Sequence, residues 1–323
     1  MTRSNGTVAE IVDVYKIYKE NGLETVALRG ISLNLCEREI LAVVGPSGSG
    51  KSTLLGILGG MIHPTSGEVY WSVCKDDISK SSPEKIIKFR RRFAGFIFQE
   101  DNLLQSFTAL QNVELTAKIA GLPDFRAEAM SLLEKVGLGS RMKFYPDMLS
   151  SGERKRVEIA NALVTSPKIV FADEPTGNLD FSTSEDIFRL FNELNQELGT
   201  SFFIVTHSQQ IESIAQKVYE LRDGMFVGTH VDNIDIASLD KSRILNLDNS
   251  GRLTISPHLL NQIGNPTSFR AEVRKGRIIL TPKNADYGKS PRTIVCRLCG
   301  EVIDKTRTVC PNCGIALDSK SCT

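Results

Sequence analysis

From about Ile11 to Val227 the chain alternates short uninterrupted apolar runs with longer stretches in which apolar residues return every three or four positions. Ile40-Leu41-Ala42-Val43-Val44, Phe96-Ile97-Phe98, Ile169-Val170-Phe171-Ala172 and Phe202-Phe203-Ile204-Val205 read as core strands. Between the last two, Ile187, Leu190, Phe191 and Leu194 stand at i, i+3, i+4 and i+7, the spacing of one buried helix face. Strands alternating with amphipathic helices predict an α/β fold wound around a parallel sheet. Ser79-Lys80-Ser81-Ser82-Pro83 reads as a surface loop, and the polar stretch Asp232 to Lys241 as a domain boundary.

Beyond that boundary the pattern shortens. Ile244-Leu245-Asn246-Leu247 and Leu253-Thr254-Ile255 flank a turn at Asp248-Asn249-Ser250-Gly251. Ser256 is placed to cap a short helix with Pro257 at its first position and a stop at Gly264. Phe269 to Val273 and Arg277 to Leu280 read as strands joined by a turn at Arg274-Lys275-Gly276. The expected organisation is an α/β domain over 1–230, a linker over 231–243, a β-rich domain over 244–283, a second linker over 284–292 and a small unit over 293–318.

Composition narrows the class. The 323 residues carry 39 Lys and Arg against 38 Asp and Glu, a formal charge of +1, with 41% apolar content, which describes an ordinary globular protein and names no polyanionic partner. No apolar run approaches the roughly 20 residues needed to cross a bilayer, and residues 1–6 lead into no signal core, so a membrane role is expected to come through a separate partner. Cys36 and Cys74 stand alone in apolar contexts and read as buried core thiols. Cys296, Cys299, Cys310 and Cys313 form two Cys-x-x-Cys pairs. Each pair ends in glycine, which relieves the turn that points two sulfurs at one metal, and four thiolates favour structural, tetrahedral Zn²⁺; a redox pairing or an iron centre is the rival.

The nucleotide chemistry is concentrated in three places. Gly45-Pro46-Ser47-Gly48-Ser49-Gly50-Lys51-Ser52-Thr53 fits the phosphate-loop template directly after a strand and before a helix. Backbone N–H groups freed by the glycines cradle phosphates, Lys51 neutralises the β- and γ-phosphates of ATP, and the Ser52 hydroxyl suits Mg²⁺. Asp173 and Glu174 close a strand where the loop edge of a parallel sheet meets its ligand, Asp173 as a Mg²⁺ ligand through water and Glu174 as the group that polarises the attacking water. Third, Leu149-Ser150-Ser151-Gly152-Glu153 lies between them and is followed by Arg154-Lys155-Arg156.

That ordered set resembles the ABC-type ATPases over about residues 8–227. The resemblance implies that Ser150 and Gly152 form the signature that closes over ATP held by another subunit, which makes the protein a homodimer. It also implies that Gln99 is the Q-loop glutamine touching Mg²⁺ or water, and that Asp180, closing Pro175-Thr176-Gly177-Asn178-Leu179-Asp180, is the D-loop aspartate. His207 takes the place of the switch histidine near the γ-phosphate, and Tyr18, or the nearby Tyr15, that of the aromatic that stacks on adenine. Ser151 departs from the family's usual glycine and adds a Cβ where backbone approaches the γ-phosphate. Phe98-Gln99-Glu100-Asp101-Asn102-Leu103-Leu104 and Thr108-Ala109-Leu110-Gln111-Asn112-Val113 resemble the lipoprotein-release and macrolide-exporter subunits. This implies a cytoplasmic ATPase held at the inner face of the membrane by a separately encoded permease.

Residues 244–283 resemble the swapped-hairpin fold of AbrB-type regulators in Gly251 to Pro257 and again in Gly276 to Lys283. From 231 onward about 14 Lys and Arg face about 9 Asp and Glu, a mild excess that permits contact with nucleic acid without requiring it. The expected role is a dimerisation clamp; the alternative is a soluble ATPase regulator that grips nucleic acid through these C-terminal domains.

Overall fold

The computed structural model describes residues 6–20 and 23–231, and beyond them 264, 266, 268–274, 277–282, 293–295 and 302–304. In chain order the first part runs β1 (Thr7–Glu20), β2 (Leu23–Cys36), β3 (Ile40–Val44), α1 (Lys51–Leu58), β4 (Ser66–Trp71), β5 (Cys74–Asp77), α2 (Pro83–Phe93) and β6 (Ala94–Ile97). It continues with α3 (Ala109–Ala120), α4 (Phe125–Lys135), α5 (Ser151–Leu163), β7 (Ile169–Asp173), α6 (Phe181–Leu198), β8 (Ser201–Thr206), β9 (Lys217–Arg222) and β10 (Met225–Val231).

These elements make two sheets. The larger has the order β10-β9-β3-β8-β7-β6, parallel from β9 to β6 with β10 antiparallel at its edge. Its central strands are buried on both faces: Ile40, Val170, Phe171, Phe202, Phe203 and Ile204 are within 1% of full burial, which explains why they read as apolar runs without alternation. Burying each such side chain stabilises the fold by about 1.5–3 kcal/mol. The second sheet is antiparallel, in the order β2-β1-β4-β5.

Two cores result. One lies between the antiparallel sheet, α1 and one face of the parallel sheet, with Ile11, Leu28, Leu54 and Phe203 at 1% exposure or less. The other covers the opposite face, where Ile187, Leu190, Phe191 and Leu194 of α6 are buried as their spacing predicts, together with residues of α3, α4 and α5. The pairings Val44↔Thr206 and Asp173↔Val205 bring the C-terminal ends of β3, β8 and β7 level, with β6 beside β7. The loops that follow these four strands therefore emerge side by side.

Three local expectations are corrected. Ser79–Pro83 is not a plain loop: Ile78–Lys80 forms a 3-10 turn capped by Asp77, and Ser82 precedes α2, whose first residue is Pro83. The strand placed at Phe96–Phe98 is Ala94–Ile97, leaving Phe98 outside it and exposed. Cys36, expected in the core, is half-buried with Lys217 Nζ 4.0 Å from its sulfur.

The chain divides into two compact units, Met1–Ile255 and Ser256–Thr323. In the second, β11 (Phe269–Arg274) and β12 (Arg277–Pro282) pair antiparallel as the sequence predicts, with Arg274 opposite Arg277. A further hairpin joins β13 (Thr293–Val295) to β14 (Val302–Asp304). The expected strands at 244–247 and 253–255, the helix from Ser256 and the four cysteines of the expected zinc site lie outside the described residues.

Candidate nucleotide site

Between β3 and α1 the chain turns through Gly48 and Gly50, with φ of 79° and 103°. A side chain at Gly50 would press on the carbonyl oxygen of Ala27 at 2.5 Å, and one at Gly45 on that of Leu221 at 2.1 Å, so close packing of the loop excludes both. Pro46 and Ser47 are exposed on the outside of the turn, whereas Ser49 is buried with its hydroxyl unpartnered. The first N–H groups of α1 point into this loop, the arrangement that receives a phosphate. Lys51 is buried and bent back: its Nζ donates to the carbonyls of Gly45 (2.9 Å) and Pro46 (3.1 Å) and lies 3.6 Å from Glu174 Oε1.

Across from it stand the two acids. The Ser52 hydroxyl bonds the Asp173 carboxylate, whose other oxygen, Oδ1, is buried without a partner. Burial pushes the Asp173 carboxyl above its ordinary value, opposed by the Ser52 bond. Glu174 has a left-handed φ of 45°, a conformation that costs a non-glycine residue ~1–3 kcal/mol and persists where its surroundings enforce it. Its N–H donates to Val205 O at 2.8 Å, while Oε2 accepts from the His207 N–H at 3.1 Å and lies 2.9 Å from His207 Nδ1. Lys51, Glu174 and the exposed His207, from the ends of three neighbouring strands, thus form one connected cluster. The chain spacing between these residues did not reveal it.

The tyrosines separate clearly. Tyr18 Oη lies 3.4 Å from Thr53 Oγ1 in the first turn of α1, and Lys16 Nζ sits 4.9 Å from its ring centre. Tyr15 turns instead towards Gly30, where an added Cβ would come within 2.9 Å of its hydroxyl. The structure therefore brings Tyr18, not Tyr15, to the phosphate loop. Gln99 is exposed in the segment leaving β6.

The signature sits elsewhere in the chain, at the start of α5. Ser150 is the N-cap: its hydroxyl accepts from Glu153 N–H at 3.2 Å, and Glu153 Oε2 in turn accepts from Ser150 N–H at 2.9 Å. The Ser150 N–H, helped by Arg141, holds the Glu153 carboxyl below its ordinary value. Ser151 is the first helical residue and carries no left-handed strain. A side chain at Gly152 would meet Thr183 Cγ2 at 2.6 Å, so this glycine lets α5 approach the start of α6. Asp180 caps α6, accepting from Thr183 Oγ1 (2.6 Å), Thr183 N–H and Ser182 Oγ (both 3.0 Å), and the Thr183 hydroxyl leads in lowering its pKa to about 2. Within one chain, then, Ser150, Gly152 and Asp180 are bound up with α5 and α6, not with the phosphate loop.

Sequence reasoning missed the interior of α5. Lys155 and Glu158 are buried at about 5% exposure and paired with each other. Two charges three residues apart among Val157, Ile159 and Ala160 were the available signal. Among the described residues no helix is long and apolar enough to cross a membrane, and no group of three or more His, Cys, Asp or Glu side chains is gathered to hold a metal ion.

Comparison with known proteins agrees with this geometry. A family profile described as ABC transporter matches residues 28–177. The chain is 44% identical over 220 residues to the lipoprotein-releasing system ATP-binding protein LolD of Alcanivorax borkumensis, covering 68% of this chain and 96% of that protein. It is 40% identical over 227 residues to the protein of the same name from Shewanella frigidimarina, covering 70% and 94%. Among solved structures, a dimeric post-hydrolysis state of the ATP-binding cassette MJ0796 bound to ADP and Pi superposes with a TM-score of 0.64 at 34% identity, over 70% of this chain and all of that one.

Proposed function

This chain belongs to the ABC transporter family as an ATP-binding, ATP-hydrolysing subunit, and we propose that two copies of it sandwich two MgATP and drive a separately encoded membrane permease. The observation that carries this reading is the split in the site: Lys51, Asp173, Glu174 and His207 gather at one sheet edge, while Ser150 and Gly152 are preformed at the head of α5 with their contacts made within α5 and to α6. Pairing two chains about a two-fold axis, with the loop of each against the signature of the other, completes both sites at once. The relatives support it, since the MJ0796 cassette is dimeric with ADP and Pi bound and the LolD proteins are parts of a lipoprotein-releasing system.

In this reading the backbone of Gly45, Pro46, Ser47, Gly48, Ser49 and Gly50 and the start of α1 hold the phosphates, with Ser52 and Thr53 in the first turn. Lys51 exchanges its two carbonyl partners for the β- and γ-phosphates. Tyr18 stacks on adenine. Ser52 and Asp173 suit Mg²⁺, because Asp173 Oδ1 is a buried oxygen with no partner and the Ser52 hydroxyl already points at the same carboxylate. Bound there, Mg²⁺ neutralises charge on the phosphate oxygens. Glu174, held by the His207 N–H and ring, orients and polarises the water, Gln99 would touch Mg²⁺ or that water and couple the site to the permease, and Asp180 sets the start of α6 beside the other chain.

Coupling to the permease is supported by an open groove of about 430 Å³ beside the Gln99 segment, lined by Met61, Phe96, Phe98 and Ile119 together with Arg90 and Arg91. Attachment there holds the subunit at the inner face of the membrane. Affinity purification from gently solubilised membranes tests this: an integral membrane protein should co-purify, and recovery only from the soluble fraction would refute the coupling.

The C-terminal organisation is proposed as 244–283 for an AbrB-like clamp between two chains and 293–318 for a zinc ribbon. The β11–β12 hairpin supports the first. For the second, Cys296 and Cys299 lie in sequence between β13 and β14, and with Cys310 and Cys313 they make up the four thiolates of a tetrahedral set. Metal analysis of freshly purified protein should give one zinc per chain; markedly less argues against it.

A further inference from the structure

The segment that carries Gln99 is held by α5 at several points. Lys155 Nζ donates to Phe98 O at 3.1 Å, one residue before Gln99. Arg154 Nε donates to Asp101 Oδ2 at 2.8 Å, and Lys155 Nζ lies 3.7 Å from Asp101 Oδ1. Glu158 Oε1 accepts the Asn102 N–H at 2.7 Å, and its other oxygen pairs with Lys155. Arg154 also donates to Leu149 O at 2.7 Å, immediately before the capped turn of Ser150 to Glu153. One helix therefore begins with the signature and, a turn later, grips the chain on both sides of Gln99.

A buried ion pair is a poor way to gain stability, because desolvating two charges offsets their attraction, and apolar side chains of similar size do as well or better. What this pair supplies is direction. Both ends of the Lys155–Glu158 unit are hydrogen-bonded to main-chain atoms of the Gln99 segment in a low-dielectric interior, where a broken bond is costly. A shift of the first turn of α5 must either break these bonds or move Phe98–Asn102 with it.

We propose that Lys155 and Glu158 are positioning residues that tie Gln99 to the signature helix. Engagement of Ser150 and Gly152 by ATP in another copy is thereby transmitted to Gln99 at the chain's own site. The inference deepens the dimeric reading above and rests on it. It explains why two charges stand on the buried face of α5, and it makes each chain a link between the two nucleotide sites.

The test uses the full-length chain with Lys155→Met and Glu158→Gln together, a neutral pair of similar size that avoids leaving one buried charge alone. Asp101→Asn serves as a second variant, since it loosens only a partly exposed arm of the network and keeps the fold. Hydrogen exchange of the amides of 98–102 in the nucleotide-free protein should become about tenfold faster in the double variant and rise less in Asp101→Asn, with Tm little changed. In MgATP hydrolysis the Hill coefficient should fall towards 1 while affinity for ATP stays within about twofold. A purely structural role lowers activity in step with the folded fraction and leaves the Hill coefficient alone. Unchanged exchange at 98–102 together with an unchanged Hill coefficient in both variants overturns the proposal. Absent or non-cooperative hydrolysis in the unmodified chain would instead count against the dimeric reading, and the exchange measurement would still decide the link between α5 and Gln99.

Discussion

The sheet-edge cluster and the head of α5 are both built for one ligand, yet they are finished to different degrees. At the sheet edge, strand register assembles Lys51, Asp173, Glu174 and His207 within one chain, where Glu174 meets both Lys51 and His207 while Asp173 keeps one buried oxygen without a partner. At the head of α5, a capping box and a glycine contact fix the shape of Ser150–Glu153, and the contacts made there go to α5 itself and to α6, not to the phosphate loop. A site divided in this way makes turnover depend on a second copy, and substitutions in the two regions should fail differently.

The largest effect is expected at the sheet edge. Glu174→Gln should lower kcat by about 10²–10⁴-fold, the range for losing a general base, and should leave ATP binding intact; turnover within tenfold of the unmodified chain would remove Glu174 from its role. Next comes the α5 head. Gly152→Ala drives a Cβ to 2.6 Å from Thr183 Cγ2 and should cost ~1–3 kcal/mol in thermal unfolding as well as most of the activity. Adding Thr183→Ser removes that methyl, keeps the hydroxyl that bonds Asp180, and should recover stability; no recovery would mean that the contact is not the cause.

Ser151→Gly is expected to act on turnover alone. Because Ser151 sits unstrained at the first position of α5, stability should move little, whereas removing its Cβ should raise ATPase activity several-fold. An unchanged rate would show that the serine is tolerated.

The smallest effect concerns acid. Asp180 has a pKa of about 2 in the folded chain against an ordinary 3.8, so its cap contributes fully above about pH 4 and is lost as pH falls towards 2. Asp180→Ala should flatten that part of the stability curve, measured as Tm between pH 4 and 2. An unaltered slope would assign the acid sensitivity to other carboxylates.

How much was legible follows the same division. The phosphate loop, the acidic pair and the signature are each contiguous, so local chemistry exposed them, and β3, β7 and β8 were readable because burial on both faces leaves an uninterrupted apolar run. The contacts that join these pieces were not readable. His207 meets Glu174 through pairing of β7 with β8, and Tyr18 is separated from Tyr15 by a long, irregular strand whose register shifts between Val14 and Tyr15 and again between Lys16 and Ile17. Gly152 fits against Thr183, and Lys155 reaches Phe98, only after α5 has packed. The antiparallel sheet also escaped notice, since β1 and β2 mix apolar and charged residues over 14 positions each.

The central claim is that ATP held by one chain is closed over by the signature of another. It is tested most directly by photolabelling with an ATP analogue that carries an aryl azide on its γ-phosphate. Unlabelled Glu174→Gln chains are mixed with an excess of isotopically heavy Lys51→Ala chains, which cannot hold the nucleotide in their own loop. The label should appear on the heavy peptide that contains Ser150 to Glu153. Label confined to the light chain would contradict the account.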